Sequence, residues 1–450
     1  MTLTRRDLLR GAAGAAAGVP LARLPRLKKP KPGLGLPANA PVDTIVVVMM
    51  ENRSFDHFLG WLPGADGAQE GLIYLDDAGV AHPTQYFGGG VGGRNDFAGC
   101  GFADPSHSWT GGRRQLGGTA RDNSGFRKAP NDDFALSYYR SEDLPTWTSF
   151  SEQGTVFDRY FTALMAPTWP NREYMHAASS GGRKDNSFPP ATGFPETTIW
   201  DRLDAAGVEW ACYFSNLSFA ALYGPRLFPR IRHISEYYAR AAVGALPQVC
   251  FVDPFLTVSE ATGNDDHPHA DVRNGQQFLA DVSRAFGASP QWERGALFVN
   301  YDEWGGFFDH VVPPRVVDDR ASANLFEDFG QVGFRCPAVV LSPYAARGVV
   351  NHATFEHTSI LRFVEWRFQL APLTGRDANT TNIGDGVFNF DARPNKADLE
   401  IPAYKAPPEA LIPCSARGHS APVNDLEPLL EAGYFDAFKT DWKLEDSLLP

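Results

Sequence analysis

Short, continuous apolar runs, set between longer polar stretches, mark the chain from residue 42 to about 370. The first, Thr44-Ile45-Val46-Val47-Val48-Met49-Met50, is largely β-branched and shows no alternation, the pattern of a strand buried on both faces of a parallel sheet. Comparable runs recur at Val208–Phe214, Gln248–Val252, Ala296–Tyr301 and Pro337–Ser342. Between them, at Asp271–Phe286 and Phe355–Leu370, apolar residues return every three or four positions, as on a helix with one buried face. Strands alternating with helices predict an α/β fold with a mostly parallel central sheet sandwiched by helices. The region 60–131, rich in Gly, Asp and Asn, is expected to be a loop-rich insertion in one domain spanning 33–450, and residues 372–450 a tail that wraps its surface.

Residues 1–32 follow another pattern. Arg5-Arg6 precede a weakly apolar Ala/Gly run, Gly11 to Gly18, the form of a twin-arginine export signal, which implies the export machinery as a partner and a periplasmic or secreted destination. This segment holds eight Lys or Arg against one Asp, so with a total of −12 the remaining body carries −19. Such a body excludes nucleic acid as a partner and argues against strong attraction to anionic membranes, leaving a membrane only as a surface that presents substrate. No interior run approaches the roughly 20 apolar residues of a bilayer span. The five cysteines have no paired metal-ligand spacing; one or two disulfides fit an exported chain, though a protein folded before export should not depend on them.

In a parallel sheet, ligands gather beyond the carboxyl ends of the strands. Glu51-Asn52-Arg53-Ser54-Phe55-Asp56-His57 follows the first run, and Asp302-Glu303-Trp304-Gly305-Gly306-Phe307-Phe308-Asp309-His310 follows Ala296–Tyr301. Acidic residues from two strand ends are expected to converge, and oxygen donors of this kind suit Mg²⁺, Ca²⁺ or Mn²⁺. Thr168, in Ala166-Pro167-Thr168-Trp169-Pro170-Asn171-Arg172-Glu173, leads a helical stretch, where unpaired N–H groups favour a phosphate; taken alone, it fits a capping or turn role better. Two loops carry histidines, around His107 and at His267-Pro268-His269. Trp109, Trp169, Trp304 and Phe307 stand beside these residues, where aromatic faces could enclose a quaternary ammonium or, more ordinarily, pack.

In this order the stretches resemble the bacterial phosphoesterase family, which includes haemolytic, non-haemolytic and mycobacterial phospholipases C and a group of acid phosphatases; the likeness runs from Val42 to about Leu370. The resemblance implies a fold similar to the alkaline phosphatase and arylsulfatase superfamily. It implies one divalent metal ion held by Glu51, Asn52, Thr168, Asp302 and Glu303, with nearby histidines that also admit Zn²⁺. Thr168 matches the nucleophile, and His107 and His267 match catalytic histidines that contact the phosphoryl oxygens, one protonating the leaving group. Arg172, His269 and Trp304 are assigned to substrate binding. His269 departs from the family's usual His-Pro-Pro, and the chain ends short of the C-terminal β domains of longer haemolytic members. The implied activity is an exported phospholipase C on phosphatidylcholine-like lipids. The alternatives are a broad-specificity acid phosphatase at the same site and a non-catalytic exported protein that binds metal or lipid head groups.

Overall fold

The computed structural model describes residues 34–88, 97–190, 192–257, 263–391 and 398–419. The export segment therefore lies outside the described residues, as does the end of the tail.

Among the described residues the main sheet has eight strands: β1 (Thr44–Met50), β2 (Thr155–Phe157), β3 (Trp210–Phe214), β4 (Ile231–His233), β5 (Val249–Val252), β6 (Gly295–Tyr301), β7 (Ala338–Leu341) and β8 (Val349–Asn351), in the order β8-β2-β7-β6-β1-β5-β3-β4. From β6 to β4 every pairing is parallel, and β2 pairs parallel with β8. Only β7 runs against its neighbours. The helix-sandwiched, mostly parallel fold is thus as expected, with one correction: the Pro337–Ser342 run lies antiparallel. Burial on both faces explains its composition and carries no information on direction.

Every residue of β1 and β6 is buried, so both faces of the sheet are covered. At about 1.5–3 kcal/mol for each fully buried Val, Ile or Leu, these central strands are a main source of stability. Of the helices α1 (Phe55–Leu59), α2 (Trp109–Gln115), α3 (Pro145–Gln153), α4 (Thr168–Ala177), α5 (Ile199–Ala205), α6 (Ile234–Val243), α7 (Val272–Gly287) and α8 (His357–Phe368), six pack in two groups, α3 and α6 against α7, and α5 and α8 against α4. In α7, Asp271 caps the first turn by accepting from Arg273 N–H, and Val272, Phe278, Leu279, Val282 and Phe286 form the buried stripe that the spacing predicts. A charged residue at Phe278 or Val282 would break that face.

The sheet order sets the site. β6, β1 and β5 are adjacent and parallel, in register at Met50↔Tyr301 and Val48↔Val252. Their carboxyl ends deliver Asp302-Glu303, Glu51 and Asp253 side by side.

Candidate active site

Asn52 ends β1 with a left-handed turn (φ 59°), a conformation Asn tolerates better than most residues. The turn directs its N–H to Asp302 Oδ1 (3.1 Å), and the Glu303 N–H reaches the same oxygen (2.6 Å). Gly305 and Gly306 also have positive φ; a Cβ at Gly305 would collide with the Asn52 carbonyl and one at Gly306 with Pro105. The Gly-Gly pair thereby brings the β6 loop against the β1 loop and against the segment that carries His107.

Thr168 opens α4, but Pro167 is the capping position, and no cap hydrogen bond forms there. The Thr168 hydroxyl instead donates to Glu51 Oε2 at 3.2 Å, with the side chain almost fully buried. The plain capping role is thereby set aside. The helix terminus offers an anion less than expected, because Trp169 N–H is taken by Asn186 Oδ1 (2.9 Å).

One turn on, Arg172 lies beneath the carboxylates. Its Nε donates to Glu51 (2.9 Å) and Asp302 (3.4 Å), one terminal nitrogen to Asp253 (2.9 Å), and the other to the Met49 and Met50 carbonyls. Expected at the substrate, it is instead fully buried with every side-chain nitrogen engaged. Burial alone would lower its pKa; Glu51, Asp302 and Asp253 outweigh that and hold it above the usual value.

One guanidinium does not balance four carboxylates. Burial, then the charge of Glu51, holds Asp302 well above the carboxylate range. Burial pushes Glu303 up to about 8 and, against the pull of Arg172, Asp253 up to about 6. The Asn52 carboxamide and Glu303 Oε1 are buried without a hydrogen-bond partner among the described residues, an arrangement that costs free energy unless another group occupies it. Buried oxygen acceptors with surplus negative charge fit a hard divalent cation, so the ligand set Glu51, Asn52, Thr168, Asp302 and Glu303 suits the implied metal.

His107 and His267 meet edge to face, ring centroids 5.9 Å apart. His107 Nδ1 faces the Pro105 carbonyl at 2.9 Å and His267 Nδ1 the Pro268 carbonyl. His269 turns elsewhere: its Nε2 meets the Phe102 carbonyl (3.0 Å) and its ring stacks on Phe134. Trp304 is fully buried in a satellite core with Leu116, Phe126, Met165, Phe308 and Phe334, its Nε1 donating to Gln115 (2.8 Å). Phe307 stacks on His57 at 3.8 Å, and Arg113 covers the face of Trp109. Packing, not an aromatic cage, accounts for these rings, so Trp304 has no face left for substrate.

The second halves of the two motifs go elsewhere. Asp56, Asp309 and His310 surround Arg335 in a separate buried cluster. Two residues carried no assignment from the sequence: Asp253, and Asp104, whose carboxylate lies within 4.8 Å of a ring nitrogen of His107 and of His267. Asp253 directly follows the Gln248–Val252 run, so the strand-end rule points to it. Cys100 and Cys414 form a disulfide across 314 residues, tying the described part of the tail to the loop before Asp104; Cys212, Cys250 and Cys336 are free and buried.

Adjacent strand ends of this α/β sheet thus crowd carboxylates around a buried hydroxyl. The chain belongs to the Phosphoesterase family, whose model matches residues 42–371, and it is a phosphoric ester hydrolase. It is 33% identical over 380 residues to non-specific phospholipase C1 of Arabidopsis thaliana, covering 75% of this chain and 69% of that protein. With phospholipase C B of Mycobacterium tuberculosis it shares 32% identity over 442 residues, 82% of each chain. The resemblance named a bacterial family; its relatives extend to plants. Among solved structures, a protein in the alkaline phosphatase superfamily from Vibrio parahaemolyticus matches with a TM-score of 0.37 at 11% identity, over 78% of this chain and 72% of that one.

Proposed function

We propose that the chain is a metal-dependent phospholipase C in which Thr168 attacks phosphorus. The observation that carries this reading is the Thr168 hydroxyl, 3.2 Å from Glu51 Oε2 at the start of α4, where Glu51 shares the Arg172 guanidinium with Asp302. Glu51 orients the hydroxyl and is the acceptor nearest its proton. Arg172 keeps Glu51 and Asp302 in place despite their mutual repulsion. A divalent cation held by Glu51, Asn52, Asp302 and Glu303 would supply Lewis acidity, lowering the hydroxyl pKa and polarising a phosphoryl oxygen. Attack in line forms the Thr168 oxygen–phosphorus bond as the hydroxyl proton passes to Glu51, and breaks the bond to the diacylglycerol oxygen, which takes a proton from His107 or His267; the head group stays on a phosphothreonine until water releases it. His107 and His267 line the phosphoryl pocket. The names of the relatives support a glycerophospholipid substrate, and the Arg5-Arg6 segment supports export.

The test is product analysis with phosphatidylcholine and p-nitrophenyl phosphate side by side, with and without chelator. Diacylglycerol and phosphocholine, lost on chelation, are expected. Release of phosphate from the monoester alone would move the protein to the phosphatase reading. Turnover of neither substrate with any metal would leave a binding protein. Export is tested separately: Lys in place of both Arg5 and Arg6 should hold the protein in the cytoplasm, and undiminished export would reject that reading.

A further inference from the structure

The hairpin of Ile73–Leu75 and Ala81–Pro83 carries its apolar face on the outside. Its strands pair antiparallel, with Ile73 opposite Pro83, Tyr74 opposite His82 and Leu75 opposite Ala81, so alternate residues share a face. Tyr74 turns inward onto Phe126 and Phe308, at 5.8 and 6.2 Å, in the satellite core that holds Trp304. The other face is left to solvent. Ile73 is 65% exposed, Leu75 49% and Val80, at the turn, 55%, with Ala81 and Pro83 exposed across from them. Single apolar side chains at a surface are ordinary, whereas a contiguous face of them marks a contact.

What stands beside that face gives the kind of contact. The turn, residues 76–80, is fastened to the wall of a cavity of about 330 Å³ whose lining includes Ser106, Ser108, Thr110, Arg114 and Lys128. Lys128 Nζ donates to the Asp76 carbonyl at 2.6 Å, and Arg114 pairs with Asp77 at 3.2 Å. An ammonium has three donors, so Lys128 keeps others for the cavity. The carboxylates of the turn are spent locally: Asp76 on the Ala78 and Val80 N–H groups and the His82 ring, Asp77 on Arg114 and the Ala129 N–H. The described residues that line the cavity include no carboxylate, although the body of the chain carries −19.

We propose that this face docks the protein on a bilayer of zwitterionic phospholipid, with Ile73, Leu75 and Val80 entering the apolar interface and a lipid phosphate held in the cavity by Arg114 and Lys128. An apolar ribbon beside a cationic, hydroxyl-lined hollow repeats the two-part chemistry of a lipid, apolar next to anionic. A second copy of the chain is a poorer match, since two bodies of −19 repel one another; an anionic bilayer is poorer for the same reason. The choice of a lipid surface rests on the phospholipase reading above. Docking here also keeps the reactive loops near the bilayer. Tyr74 shares its core with Trp304 and Phe308 of the 302–310 motif, and Ser106 and Ser108 flank His107.

Flotation of the whole chain with phosphatidylcholine vesicles, in the presence of chelator, tests the proposal; the basic residues 1–32 find no anionic lipid there. The protein should float with the vesicles. Ile73→Asn together with Leu75→Asn should weaken that partitioning at least about tenfold. Thr110→Glu, a charge the first turn of α2 favours, should weaken it at least about threefold by repelling the phosphate. The free cysteines are buried, so a polarity-sensitive fluorophore can be placed on Val80→Cys, where its emission should shift to the blue on vesicles. The same label on Val243→Cys, exposed on α6, should not shift. No shift at position 80, or unchanged partitioning of the double variant, would overturn the proposal. So would a dimer that the double variant dissolves, which would make the face a contact between copies. Cleavage of phosphatidylcholine by a protein with either result would leave the phospholipase reading standing without this surface. Hairpin-dependent vesicle binding by a protein inert toward every phosphate ester would leave the surface standing without that reading.

Discussion

Two buried clusters grow from the same pair of sequence motifs and reach opposite electrostatic ends. Glu51, Asn52, Asp302 and Glu303 form one; Asp56, Asp309 and His310 form the other, a few residues further along each motif. In the second, Asp56 accepts from Arg335, from the Ala68 and His310 backbone and from the His310 ring, while Asp309 accepts from Arg335 and from the backbone of Asp56 and Val311. Arg335 also donates to the Asp66 and Asp158 carbonyls, so the cluster is closed on itself. In the first, the carboxylates of Glu51, Asp253 and Asp302 share one guanidinium, Glu303 adds a fourth carboxylate beyond it, and Asn52 and Glu303 keep buried atoms without partners among the described residues. With the carboxylates of both clusters buried and the residue types similar, one criterion separates a clamp from a candidate active site: whether the charges and lone pairs are used up at home. Such incomplete compensation is where perturbed groups gather for function.

The largest test of this contrast is Thr168→Ala. It should lower turnover at least about 10³-fold while shifting stability by no more than about 1 kcal/mol, since it removes the proposed nucleophile and a single hydrogen bond; steady-state kinetics and chemical denaturation measure both. Arg335→Met should show the reverse, costing about 3–5 kcal/mol in denaturant because it strands two buried carboxylates, with metal affinity unchanged. A cation added to ion-free protein at a hundredfold excess over its Kd should stabilise it by about 2.7 kcal/mol. Thermal melts should show that gain vanish in Glu51→Gln and persist in Asp56→Asn. The smallest effect is pH dependence in the clamp. Burial pushes Asp309 up to about 6, and at His310 the hydrogen bond to Asp56 overcomes burial and raises the imidazole. Asp309 folded binds more protons than unfolded between about pH 4 and 6, so its contribution falls as pH rises through that window. His310 acts in the same direction, losing its contribution as pH climbs through its raised value. Melts of Asp309→Asn against the parent should show a shallower decline from pH 4 to 7.

Much of the scaffold was legible because burial on both faces writes itself as an uninterrupted β-branched run, as at Thr44–Met50. Strand direction was not legible, for β7 reads like its parallel neighbours. The edge strands β4 and β8, and β2 beside β8, have three residues each and owe their conformation to partners distant in sequence. At the site, the dense motifs pointed to Glu51, Asn52, Asp302 and Glu303, and the structure brings these together with Thr168. Where each motif divides was hidden, because the divider is Arg335, remote from both. Arg172 and Trp304 were misplaced for one reason: position beside reactive residues does not say which way a side chain faces. Arg172 turned under the carboxylates and Trp304 into the core. Asp253 stands alone after its strand with no surrounding motif to mark it.

The central claim, that Thr168 carries the phosphoryl group, is most directly tested by rapid acid quench of the metal-loaded enzyme during turnover, followed by mass spectrometry of the peptide containing Thr168. The account predicts a phosphoryl adduct on Thr168 that appears within the first turnover and is absent after chelation. Turnover with that peptide unmodified at every quench time, and undiminished in Thr168→Ala, would contradict it.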